Sequence, residues 1–216
     1  MILDITFDLE TCALCPTAAV MSIAAVAWNR NADATPFTGD ERFSFRAHID
    51  LKSAFVDGFT FDAGTARWWR SQCEEARRQL FAGGKQEHLR EAVERFFQWI
   101  ITTARTAGAD EVNLWAQGSD YDTAILRNIC HVYGIDFNKA TQIPYTHVRD
   151  HRTFFLEGAR LLCQSTGVEY READAYALVE RYEGEGVSHD PVYDCKRSIF
   201  STWQMMKHLR CLNIKM

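Results

Sequence analysis

Two carboxylates one residue apart, Asp8 and Glu10 in ITFDLET, follow directly on an apolar run near the N-terminus. Side chains alternate faces along a strand, so residues two apart share a face and both acids leave the strand end toward one point. Two half-buried carboxylates that close repel unless a cation lies between them. Hard divalent ions such as magnesium favour oxygen ligands of this kind. The pattern points to a metal site. Further acids stand where helix starts would present them. Asp120 and Asp122 in WAQGSDYDTAIL follow a short strand and open a helix. There the helix dipole favours a negative charge that can still face a cation. In SHDPVYDCKRSIF, His189 precedes the cap of the last helix and Asp194 lies one turn inside it. His189 is therefore expected on a loop, free to move, with Asp194 held rigidly. A neutral imidazole beside a carboxylate-held cation is suited to take a proton from water.

The elements that must position these groups can be read from periodicity. ILDITFDL is a strand, and VMSIAAVAW, nearly all apolar, is a second one buried on both faces. The Asn, Asp, Thr and Pro cluster between Asn29 and Asp40 is a turn, and RFSFRAHI alternates as a third strand, which suggests an antiparallel meander. From Asp62 to Leu80 the pattern is helical, with Asp62 as cap and Gly83-Gly84 as stop. From Glu87 to Ala107, Leu89, Val93, Phe96, Phe97 and Ile100 recur at helical spacing and predict an amphipathic helix. EVNLWA reads as a strand, TAILRNICHVYG as a helix ending near Gly134, and YTHVRD as another strand. The acidic stretch from Glu169 to Gly186 reads as a solvated connection. Asp190-Pro191 then gives a cap and a first-turn proline, and the final helix turns Ile199, Trp203, Met206 and Leu209 inward. The expected class is α/β, a mixed sheet flanked by helices, and no linker divides residues 1–216 into more than one domain.

Composition bounds the partners. A chain of 216 residues with 47% hydrophobic side chains can fill one large core. Its net charge of −5 supplies no global basic field, which argues against a passive nucleic-acid coat. It does not argue against an enzyme that meets phosphates through cations. Seven scattered cysteines form no disulfide framework, and no signal segment or membrane-length apolar run is evident, so a reducing cytoplasm and no membrane partner are expected. Cys12 and Cys15 make one C-x-x-C with no second pair at zinc-site spacing, so they read as small loop side chains.

In order along the chain stand Asp8-Leu9-Glu10-Thr11, then Gly118-Ser119-Asp120-Tyr121-Asp122 running to Leu126, then His189 with Asp194 five residues on. This set resembles the DEDD superfamily of 3′–5′ exonucleases in its DEDDh (DnaQ-like) branch. Within that branch, DLETCALCPTAAVMSIAAVAW, TARWWRSQ and RDHRTFF are similar to the phage exonuclease A and mycobacterial-type exoribonuclease group. Each motif alone is weak; the three in order and in their expected structural settings are specific.

The resemblance implies a ribonuclease H-like sheet, with antiparallel first strands followed by parallel ones. It also implies two divalent cations, magnesium or manganese, flanking a scissile phosphate. Asp8 would lie between both ions, Glu10 and Asp194 would complete the ion that activates water, Asp122 would hold the second ion, and His189 would accept the proton. The aromatic-Asp pattern selects Asp122, with Asp120 as the alternative. By the same resemblance, Thr11 and Leu14 line the pocket of the terminal nucleotide. Of Trp68 and Trp69, one fills the core and the other is placed to stack on a base. Arg67, Arg70, Arg149 and Arg152 read as solvated or as phosphate contacts. The implied partner is the 3′ end of single-stranded RNA or DNA, with RNA favoured, and a homodimer is compatible with the family. Two other classes compete: a binding module of the same fold without catalysis, and a different magnesium-dependent phosphohydrolase. A haloacid-dehalogenase-like phosphatase would need a second Asp where Glu10 stands.

Overall fold

The computed structural model describes residues 1–81 and 85–212. Six strands form one sheet: β1 (Ile2–Thr11), β2 (Val20–Trp28), β3 (Ser44–Ile49), β4 (Gln86–Glu87), β5 (Glu111–Ala116) and β6 (Val148–Asp150), in the order β4-β3-β2-β1-β5-β6. β1, β2 and β3 make the expected antiparallel meander, while β5 lies parallel to β1 and β6 parallel to β5. The mixed sheet is thus antiparallel first and parallel afterwards. Between Glu10 and Thr11 the register with β2 slips: Glu10 faces Ser22 but Thr11 faces Val20. This bulge ends regular pairing just beyond the second carboxylate.

Alternation on β1 sorts its side chains to two faces. Phe7 meets Phe96 of helix α4 (Leu89–Ala107) on one face, with ring centroids 6.0 Å apart. On the other, Thr6 meets α7 (His151–Thr166), and Cys195 of α8 (Pro191–Cys211) hydrogen-bonds the Thr6 carbonyl at 3.6 Å. The even-numbered acids therefore face α8. β2 is buried along its whole length, as its unbroken apolar run requires. α4 buries all five residues of its predicted stripe and stops at Gly108, whose φ of 62° is left-handed.

Several elements depart from the sequence reading. The helix expected from Asp62 to Leu80 is two helices, α2 (Ala63–Ser71) and α3 (Glu74–Phe81), broken at Gln72 and Cys73. Asp62 does cap α2, accepting the Thr65 amide, whereas the Gly83-Gly84 stop lies outside the described residues. Two short helices were not foreseen, α1 (Leu51–Val56) and α6 (Phe137–Thr141); between them in the chain, α5 (Ala124–Val132) ends before Gly134 as read. The sequence reading also has no counterpart to α7, and α8 buries Met205 rather than Met206. The two omissions are connected. A Cβ on Gly158 would lie 2.7 Å from Met205 Cγ, so α7 carries a glycine in mid-helix to let α8 approach. Nor is the acidic stretch merely a solvated connection. Its 3-10 turn Glu172–Leu178 buries Ala175, Tyr176 stacks on Phe155 at 4.3 Å, and Gln204 exchanges two hydrogen bonds with the Glu180 backbone. It is docked over α7 and α8.

Candidate active site

The three motif segments meet at the C-terminal end of β1. Asp8 and Glu10 come from β1 itself. Asp122 comes from the wide turn Ser119–Thr123 that follows β5 and leads into α5. Asp194 sits in the first turn of α8, whose cap Asp190 accepts the amides of Val192 and Tyr193. Arg46 of β3 also reaches Asp190, tying that cap to the sheet. His189 immediately precedes the cap with φ 71°, a left-handed conformation uncommon outside glycine. Its amide donates to Asp194 Oδ2 at 2.9 Å, and its ring lies edge-on to Trp68 and Trp69 at 4.8 and 5.8 Å. His189 is therefore pinned rather than free on its loop. The bent backbone turns it back over the helix start, where indoles and carboxylate hold it.

Ligand atoms of Glu10, His189 and Asp194 all lie within 4.8 Å of one another. Asp194 Oδ1 is buried without a hydrogen-bond partner, and Arg197 Nη2, at 3.1 Å, is the cation beside it. Burial pushes the Asp8 carboxyl well up, and the charges of Asp122 and Asp194 push it further. Glu10 is raised by burial and then by Asp8 and Asp194. Burial also raises Asp122 and Asp194, against nearby backbone amides for Asp122 and against Arg197 for Asp194. Four carboxyls stay raised even though Arg197, and Arg152 near Asp122, supply some positive charge, so the cluster is short of counter-charge. Oxygen donors converging on one point, one of them orphaned, fit hard divalent cations such as magnesium or manganese. Among the described residues no cysteine joins such a cluster: Cys15 instead bonds Thr17 and Thr60, and Cys12 is buried.

A family model for the 3′–5′ exoribonuclease Rv2179c-like domain matches residues 4–202. The chain belongs to that family. Its members are 3′–5′ exonucleases, so the haloacid-dehalogenase-like alternative falls. An exodeoxyribonuclease of Enterobacteria phage T4 is 26% identical over 216 residues, covering 95% of this chain and 88% of the relative. Among solved structures, the nuclease domain of 3′hExo, a DEDDh family member bound to rAMP, superposes with a TM-score of 0.54 at 12% identity, over 95% of this chain and 92% of that one. Cell-death related nuclease 4 superposes with a TM-score of 0.60 at 15% identity, over 95% of this chain and 64% of the other. A complex of E. coli exonuclease I with single-stranded DNA superposes with a TM-score of 0.52 at 15% identity; this chain spans 41% of that protein. These likenesses show the ribonuclease H-like fold of the DEDDh exonucleases.

Within this exonuclease fold the other expected residues divide. Trp69 is buried, and its indole donates to the Thr11 carbonyl at 3.0 Å; Trp68 remains 44% exposed. Thr11 is buried, whereas Leu14 stands 81% exposed at the loop tip. Together with Glu10, Gly64, Thr65 and Tyr121, the residues Thr11, Leu14, Trp68 and Trp69 line a cavity of about 630 Å³ beside the carboxylates. Asp120 is exposed, while Asp122 is buried and close enough to Asp8 for its charge to raise that carboxyl. Sequence reasoning gave no role to Tyr121 or Arg197. Tyr121 bonds Thr11 Oγ1 at 2.6 Å and the Ala13 carbonyl at 3.0 Å, bracing the β1–β2 loop. Its place beside Asp122 was the available signal. Arg197 stands three residues after Asp194, one turn along the same helix face. Among the described residues, no helix is long and apolar enough to cross a membrane.

Proposed function

We propose that this protein removes nucleoside 5′-monophosphates one at a time from the 3′ end of single-stranded nucleic acid, RNA in preference to DNA. The observation that carries the reading is the cluster of Glu10, His189 and Asp194, with Asp8 and Asp122 near enough to act on one another's charge, beside a nucleotide-sized cavity. Water adds to the last phosphodiester phosphorus, the bond to the 3′ oxygen breaks, and that oxygen takes up a proton from solvent. The products are a shortened strand with a 3′ hydroxyl and a monophosphate. His189 takes the proton from the attacking water, its ring held against rotation by Trp68 and Trp69. Asp8, Glu10, Asp122 and Asp194 would hold two magnesium or manganese ions, which supply charge neutralisation at the phosphate and acidify water. Trp68 stacks on the terminal base, and Thr11 and Leu14 bound its sugar and base.

The preference for RNA is supported by the family's description as an exoribonuclease domain; the phage relative, named an exodeoxyribonuclease, is the counterweight. Seven free thiols support a reducing cytoplasm. Matched RNA and DNA strands labelled at the 5′ end, incubated with manganese, test the whole reading. The expected result is a ladder shortening from the 3′ end, faster for RNA. Faster DNA degradation would reverse the sugar preference, and loss of the 5′ label as mononucleotide would remove the polarity.

A further inference from the structure

A second cavity, of about 560 Å³, opens where α7, α8 and the docked segment around residues 176–182 meet. On a chain of net charge −5 its lining is locally basic: Arg152, Arg181 and Arg197 against the single acid Glu180. Among the described residues, neither Arg152 nor Arg181 pairs with a carboxylate, and both are exposed. Two aromatic rings join them, Tyr176, half exposed with its ring stacked on Phe155, and Tyr182, packed edge to face with Phe37. Gln117, from the end of β5, is fixed on the wall by Ser198 Oγ at 2.8 Å.

The cavity adjoins the catalytic cluster through two of its lining arginines. Arg197 lies against Asp194 at 3.1 Å, and Arg152 approaches Gly118, within 3.9 Å of where a Cβ would stand, in the turn that carries Asp122. Both cavities thus border the carboxylates, one through Glu10 and the other through Arg197. One is lined by Trp68, Leu14 and Thr65 and is short of cations; the other is lined by arginines and tyrosines. A strand whose terminal nucleotide fills the first must send its remaining nucleotides away from it. Unpaired arginines beside an exposed tyrosine ring are the chemistry that grips a single-stranded backbone and stacks a base without reading sequence.

We infer that the Arg152–Arg181–Tyr176 cavity is the subsite for the nucleotides immediately 5′ to the scissile phosphate of a single strand. The inference rests on the exonuclease reading above and deepens it. Arg181 and Tyr176 set how strongly the enzyme prefers longer strands, whereas the pocket at Trp68 treats all lengths alike.

Fluorescence anisotropy with 5′-labelled oligonucleotides of two to six nucleotides, at low salt in EDTA so that metal-dependent hydrolysis stops, tests the subsite. Wild-type affinity is expected to climb with length and then level off. Arg181→Glu, a surface change, should weaken hexamer binding at least about tenfold and dinucleotide binding less than about twofold. Tyr176→Ala should give the same pattern at about fivefold. Equal losses at every length, or a hexamer bound as tightly as by wild type, would overturn the inference. AMP should bind wild type and Arg181→Glu alike; weaker AMP binding by the variant would reassign the cavity to a free nucleotide and overturn the strand subsite. Turnover of the same oligonucleotides in manganese is scored separately. Length-dependent binding without turnover would keep the cavity as a strand-binding site but remove the exonuclease reading and with it the scissile-phosphate register, whereas turnover with length-independent binding would keep the exonuclease reading and overturn the subsite.

Discussion

His189 combines two demands that are usually met by different residues. Its backbone must turn through φ 71° to let the amide reach Asp194, and its imidazole must point into the acidic cluster. Asparagine tolerates the left-handed conformation but cannot act as a base near neutrality. His189→Asn should therefore melt within about 1 °C of wild type while losing roughly 10²–10⁴-fold in kcat on a labelled oligonucleotide. An unchanged kcat would remove the general-base role. Asp8 makes the complementary case. Its carboxyl is pushed up by burial and by its neighbours, so its ionised form costs stability when no cation is present. Asp8→Asn keeps the shape and drops that cost. In EDTA its melting temperature should rise by about 2–4 °C, the shift that about 1 kcal/mol gives a protein of this size. Its turnover should fall by roughly a thousandfold. A lower melting temperature with activity retained would mean that Asp8 is a structural acceptor.

The elements explain which parts of this arrangement a sequence discloses. β1, β2, α4 and the cap of α8 were legible because each bears a signal that depends on its own residues alone: alternation, an unbroken apolar run, a helical stripe, Asp-Pro. The break between α2 and α3, the buried Met205 and the docking of the acidic stretch depend on partners distant in sequence. His151 is a second example. It lies 1% exposed between Thr6 and Thr202, bonded at 2.8 and 2.7 Å and flanked by Trp28 and Trp115, and burial pushes it down to about 3. Nothing in RDHRTFF announces that. The acids were legible for the opposite reason, because motif spacing records where strand and helix ends must meet. The α7–α8 crossing can be tested directly. Gly158→Ala places a methyl against the fully buried Met205, which cannot withdraw into solvent. Overpacking of this kind costs about 1–3 kcal/mol. The expected result is a lower midpoint in urea, with exonuclease activity retained at temperatures where the variant is folded.

Across the whole molecule, the raised carboxyls tie stability to pH, and the proposed metal site would tie it to a cation as well. The raised carboxyls bind protons in the folded state that the unfolded chain, with ordinary carboxylate values near 4, has already released. The folded state thus holds the extra protons, and stability without metal declines as pH climbs. Between about pH 7.5 and 8.5, where His151 is almost wholly neutral in both states and contributes little slope, the melting temperature in EDTA should fall. Magnesium, binding the folded cluster alone, should raise the melting temperature at both ends of that window, and more at the upper end. A magnesium effect that is flat with pH would separate the cation from these carboxyls. The slip between Glu10 and Thr11 carries a consequence for how the gene can change. Met21 is the supernumerary residue of β2 opposite that slip. Deleting it would let the two strands zip onward past Glu10, swinging Thr11 away from Tyr121 and its carbonyl away from the Trp69 indole. Length variation should therefore be confined to the loop apex around Leu14, and a one-codon loss at Met21 should dismantle the cavity beside Trp68 and Tyr121 while sparing the sheet.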